Sequence, residues 1–318
     1  MATTVMVVAL TGQAISAEQL VLANSDALGS PMDRMNIKFK ELVEARSNGD
    51  ITINYIPGDA FGSAPQVMDQ IIAGSIDMFG NSLAWYSPYS KDVQIINWGF
   101  TFRDSDHMVK FFDSPIFASI EEAVRDTNGI RLLAATPLQE RIIFSNKPIR
   151  SVADVEGLKM RVPQIRTYLE LWTEFGAKPT QVAWGEVFLA LKTGVVEAAE
   201  GPPSAAGKLR FHEAAPELSI SNHVFDTAMF VINEQRYQAL SEENRKVLVE
   251  AAREATAWIR AESATETERD IEQMTAAGAR INEIDVESFR AKANAGVARL
   301  ESEGLWSPGL YEQIQAIR

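Results

Sequence analysis

The chain has 318 residues, with 43 Asp plus Glu against 30 Lys plus Arg and a formal charge of -13. That field repels nucleic-acid phosphates and anionic membrane surfaces, and it admits a small anion only where a few cations are focused on one site. Cysteine is absent, and His107, His212 and His223 lack metal-ligand spacing, so thiol chemistry and disulfides are excluded and no metal or cofactor is expected.

At the N-terminus, Val5 to Leu10 followed by Ala14-Ile15-Ser16-Ala17 resembles the apolar core and small-residue end of a secretory signal without its basic start, since Arg34 is the first cation. Residues 1–17 are read as a truncated signal peptide, and no apolar run is long enough to span a bilayer. From Glu18 onward strands and helices alternate. Gln19 to Ala23 reads as a short buried strand, Pro31 to Arg46 as a helix, and Ile51 to Tyr55 as a strand broken by Pro57-Gly58. This is α/β grammar.

Residues 66–78 then match residues 186–198 without gaps. Each copy is a helix with apolar spacing, a glycine (Gly74 or Gly194) suited to a left-handed turn, and a short strand carrying Asp77 or Glu197. Each copy is expected to serve one lobe, and a cleft between two such lobes is where a small ligand binds. After the first copy's strand, Asn81, Ser82 and Trp85 are expected to face that cleft. Trp98 and Phe100 are expected to supply an aromatic wall, with ordinary core packing as the alternative for each of the five.

The segment from Glu140 to Pro203 is the most informative. Arg141 lies in Gln139-Glu140-Arg141-Ile142-Ile143-Phe144, which reads as a buried strand. Ser151 with Asp154 three residues on is a capping box for one helical turn ended by Gly157. In the strand that follows, Leu158, Met160 and Val162 alternate with Lys159 and Arg161 until Pro163 stops it. Arg161 therefore stands at the carboxyl end of a strand, the edge where open α/β sheets bind ligands, and its planar fork suits a carboxylate. Further on, Ser241 to about Ala276 has the spacing and charge density of one or two helices able to brace both lobes. A strand at Arg280-Ile281-Asn282, a helix from Val286 to Glu303 and a short helix around Tyr311 to Ile314 complete the chain.

Pro148 to Pro163 has the form Pro-Ile-x-Ser-x-x-Asp-x-x-Gly-Leu-Lys-x-Arg-Val-Pro. With Gly176-Ala177-Lys178-Pro179-Thr180, the block Trp184 to Glu197, and Asn222-His223, it resembles the DctP-type solute receptors of tripartite ATP-independent periplasmic (TRAP) transporters. The resemblance implies a two-lobed, periplasmic-binding-protein-like α/β fold of type II character, with mixed sheets flanked by helices, hinge strands and a long bracing helix. Lobe I is expected at 18–138 plus 227–266 and lobe II at 139–226 plus 267–318. It further implies a periplasmic, monomeric receptor that carries a small organic acid to the transporter's membrane subunits. Arg161 would make a two-pronged salt bridge to the carboxylate, Arg141 would assist, and Trp184 would form part of the wall. The sequence departs from the pattern at Gly201, where many relatives carry a ligand-contacting Asn. An enzyme acting on a sugar or organic acid, an ABC-type receptor and a sensor domain are the alternatives. No phosphate loop, nucleophile elbow or metal-spaced set supports the first.

Overall fold

The computed structural model describes residues 17–318, so the signal-like segment lies outside the described residues apart from Ala17. Its strands are β1 (Glu18–Ala23), β2 (Ile51–Ile56), β3 (Met78–Asn81), β4 (Ile130–Glu140), β5 (Ile142–Ser145), β6 (Lys159–Val162), β7 (Lys178–Gln181), β8 (Ala198–Gly201), β9 (Glu217–Ser219), β10 (Phe225–Asn233) and β11 (Arg280–Asn282). They form two sheets, in the orders β2-β1-β3-β10-β4 and β11-β9-β5-β8-β6-β7. The architecture is the two-lobed, helix-flanked α/β fold expected from the sequence.

The internal match in the sequence is also a match in space. In the first sheet β1 pairs parallel with β2 and β3, and β10 runs antiparallel to β3. In the second, β6 pairs parallel with β7 and β8, and β5 runs antiparallel to β8. The acid of each copy makes the same kind of contact with the neighbouring strand. Asp77 Oδ2 accepts from Val21 N at 2.7 Å and Glu197 Oε2 from Lys159 N at 3.1 Å, one residue before Leu22 pairs Met78 and Met160 pairs Ala198. Gly74 and Gly194 take φ of 72° and 74°, in the left-handed region open to glycine. In this register Arg161 is the counterpart of Ala23, Gln164 of Asp26, and Gly201 of Asn81.

Three links join the halves. The chain leaves the first sheet between β4 and β5 and returns between β9 and β10, and Arg141 N donates to Val224 O at 2.8 Å where the two passages meet. The third link is a single helix, Glu242–Ala276, capped by Ser241 Oγ on Asn244 N at 3.1 Å. Its 35 residues extend about 52 Å at the usual rise. Leu248, Ala251, Ala255 and Ile259 enter the core that holds Leu20, Phe39 and Phe230, whereas Met274 enters the one that holds Phe144 and Phe211. No helix among the described residues is long and apolar enough to cross a membrane.

A Cβ on Gly194 would touch nothing within 4 Å, so only backbone strain opposes a side chain there. Gly194→Ala should lower unfolding free energy by about 1–2 kcal/mol, with Gly194→Asn losing less, as read by urea denaturation.

Candidate functional site

A cavity of about 540 Å³ lies between the facing edges of the two sheets. The residues just beyond β1, β3, β6 and β8 (Asp26, Ser82, Gln164 and Pro202) all line it, so it sits at the carboxyl ends of parallel strands in both halves.

Arg161, the third residue of β6, lines this cavity and is only 1% exposed. Its Nε and Nη2 both donate to Val182 O, at 2.9 and 2.8 Å, and its guanidinium carbon lies 5.3 Å from the Trp184 ring centroid. These contacts orient the group without neutralising it. Nη1 is buried with no hydrogen-bond partner among the described residues. Burial pushes the pKa down to about 9, Glu200 pulls it up and Arg141 presses it further down, so the group is cationic at neutral pH.

Arg141 stands at the break between β4 and β5 rather than inside one strand. The apolar run on its C-terminal side belongs to the other sheet, and its own backbone N–H serves the hinge. It also lines the cavity, but its donors are committed. Nε and Nη2 grip the Glu200 carboxylate, the latter at 2.9 Å, and Nη1 donates to Asp226 Oδ1 at 3.1 Å. Behind Glu200, His223 Nε2 stands 3.4 Å from Oε2, and its Nδ1 pairs with Ser221 Oγ at 2.8 Å. Burial alone would raise the Glu200 pKa, but the Arg141 guanidinium first and the His223 ring second reverse this and hold it at about 2. Burial lowers the His223 pKa and keeps the imidazole neutral. Asp226 is raised by burial against the pull of Arg141.

The structure brings Arg161, Arg141, Trp184, Asn81, Ser82 and Trp85 to one cavity. Asn81 is held there by its own lobe: Nδ2 donates to Asn24 Oδ1 at 2.9 Å and Oδ1 accepts from Ser82 N at 2.8 Å. Trp98 and Phe100, expected in the aromatic wall, lie elsewhere, and so does Gly201, expected at the ligand. Trp98 is 1% exposed in the core, because the C-terminal tail folds over it: Nε1 donates to Ala293 O at 3.2 Å and the ring lies 5.9 Å from Trp306. Phe100 packs away from the cavity under Arg290, 4.7 Å from its guanidinium. Gly201 does not line the cavity, because the Trp184 ring covers it. Asp26, which the sequence did not single out, also lines the cavity, and its carboxyl is pushed up to about 7, by burial first and by Asp226 second.

Residues 23–303 match the DctP family, the bacterial extracellular solute-binding proteins of family 7. The chain belongs to the DctP family. A solute-binding protein of Roseobacter denitrificans is 26% identical over 305 residues, covering 93% of this chain and 92% of its own. A TRAP periplasmic solute-binding protein from Roseobacter denitrificans, solved with bound β-D-glucuronate, superposes with a TM-score of 0.89 at 28% identity, covering 95% of this chain and all of its own. Another from Ochrobacterium anthropi, with bound L-fuconate, gives 0.88 at 29% identity, covering 95% and 99%.

Two stability effects follow for this DctP-family chain. Glu200→Gln leaves Arg141 buried without its main counter-charge and should cost about 3–5 kcal/mol in denaturant unfolding. Asp26 works in the opposite direction. Its pKa in the folded protein is above its unfolded value of 3.8, so the ligand-free protein loses stability as pH rises from about 4 to 7. Asp26→Asn should therefore raise the ligand-free melting temperature at pH 8 and change it little at pH 4, by calorimetry.

Proposed function

We propose that this DctP-family protein is an extracytoplasmic receptor that encloses a small organic acid between its lobes, 18–138 with 227–266 and 139–226 with 267–318. It hands the acid to the membrane component of a TRAP transporter and does no chemistry on it. The single observation carrying this reading is the unequal treatment of two buried arginines. Arg141 is answered by Glu200 and Asp226, whereas among the described residues Arg161 has no carboxylate within ion-pair distance and an unpartnered Nη1 in a cavity of ligand size. The side-on fork of Arg161, Nε with Nη2, is spent on Val182 O. The two-pronged grip on a carboxylate therefore uses its Nη1 and Nη2 end, with the remaining hydrogens of each. The sugar acids held by the Roseobacter and Ochrobacterium proteins support a carboxylate as the charged group.

A thermal-shift screen against organic acids tests the reading, since ligand at about 100 times its dissociation constant stabilises by about 2.7 kcal/mol. With an acid in hand, calorimetry on Arg161→Ala should show binding weakened by about 30-fold or more, the effect of removing one partner of a desolvated charge pair. Undiminished affinity refutes the assignment, and turnover of the acid refutes the receptor.

A further inference from the structure

Trp184 and Gly201 are a single fitted unit. A Cβ on Gly201 would stand 2.8 Å from Trp184 Cη2 and 3.2 Å from Cζ3, so the indole can occupy its place only over a glycine. The ring is fixed from other sides by Phe211, 4.9 Å between centroids, and by the Arg161 guanidinium. Trp184 and Asp26 line the same cavity from opposite lobes, and the indole N–H is close enough to draw the Asp26 carboxyl's pKa down against burial without making a hydrogen bond of normal length and angle. Nε1 is buried and has no partner among the described residues.

A buried donor without an acceptor and an acid without a completed donor thus meet on the cavity wall beside Arg161. One ligand hydroxyl answers both, accepting from the indole N–H and donating to the carboxylate. An ammonium would serve Asp26 and leave the indole unpaired, and a methylene would serve neither. A second carboxylate would face Asp26 and Asp226, which already repel each other.

We propose that the cleft selects a hydroxylated monocarboxylic acid, with the carboxylate on Arg161 and one hydroxyl bridging Trp184 Nε1 and the Asp26 carboxyl at the edge of the indole that covers Gly201. This rests on the receptor reading above. It makes Trp184, Asp26 and Gly201 the residues that set specificity.

The test is titration calorimetry, backed by thermal shift, on the full chain with acids of one length: D-gluconate, with a hydroxyl on every carbon beyond the carboxyl, against hexanoate, 6-aminohexanoate and adipate. D-Erythronate against butyrate, 4-aminobutyrate and succinate is a shorter series. The hydroxylated acid of at least one series should bind at least tenfold more tightly than its three counterparts. Trp184→Phe keeps a smaller aromatic face and drops the N–H, so it should weaken the hydroxylated acid about tenfold and leave hexanoate unchanged. Gly201→Ala displaces the indole and should erase the same preference, and Asp26→Asn should reduce it, both without removing the contribution of Arg161. Equal binding of all acids, or equal weakening of all of them by Trp184→Phe, overturns this inference and leaves the receptor reading standing. No binding by any acid in either series or in the wider screen overturns both.

Discussion

A guanidinium withdrawn from water is unfavourable until something answers its charge, and the cleft is organised around the different answers given to two of them. Arg141 is saturated. Glu200 and Asp226 hold it, His223 stands behind Glu200, and its backbone N–H ties the two chain crossings together. The crossing between the sheets is thereby built around a locked ion network whose anions are turned toward Arg141. Arg161, on the far side of β8, receives a carbonyl and an aromatic face, which orient it without supplying a carboxylate of its own. A protein with net charge -13 thus keeps one positive point inside a low-dielectric gap, where Coulomb interactions act with little screening.

The frame carrying this point is nearly two-fold in plan, and its decoration is not. Equivalent strands, acids and left-handed glycines recur in both halves. At matched positions, though, one half has Ala23, Asp26 and Asn81 where the other has Arg161, Gln164 and Gly201. The second half supplies the cation and the first an acid. The repeat explains why Asp26, Asn81, Arg161 and Gln164 reach the same cavity: each lies at or just beyond the carboxyl end of a parallel strand, and the two sets of strand ends face one another. It also explains why Asn81 and Gly201 differ in role, since Asn81 is bound into its own loop while Gly201 is the floor under an aromatic ring.

Features governed by neighbours in sequence were legible from the sequence. The Ser151–Asp154 cap, the Gly157 turn and the strand carrying Arg161 are local, and together they sufficed to place a cation at a strand end. Features decided by distant partners were not. Trp85 and Trp98 follow the same strand, and what sends one to the cleft and the other to the core is a carbonyl at Ala293 in the tail. Arg141 looked like part of a strand because Ile142, Ile143 and Phe144 follow it directly, while the change of sheet is set by pairing partners on either side. Asp26 sits in Asn24-Ser25-Asp26, a run that reads as an ordinary turn, and Asn24 Oδ1 does accept from Asp26 N at 3.0 Å. Only the approach of Trp184 from the other lobe gives its carboxyl a further role. The departure at Gly201 was visible in the sequence, but the seating of the Trp184 ring over it is a three-dimensional fact.

In the proposed geometry the ligand's two polar ends belong to different lobes, the carboxylate to Arg161 and the hydroxyl to Asp26, with Trp184 touching both. The lips already meet: a Cβ on Gly185 would lie 3.0 Å from Asp59 Oδ2, and one on Gly29 3.9 Å from Lys208 Nζ. A ligand can shift the balance between open and closed forms only by its differential affinity for them. An acid that satisfies Arg161 alone binds one lobe and gives the other no reason to approach. An acid that also bridges Asp26 gains that contact only on closure, so recognition of the hydroxyl and closure of the lobes become the same event.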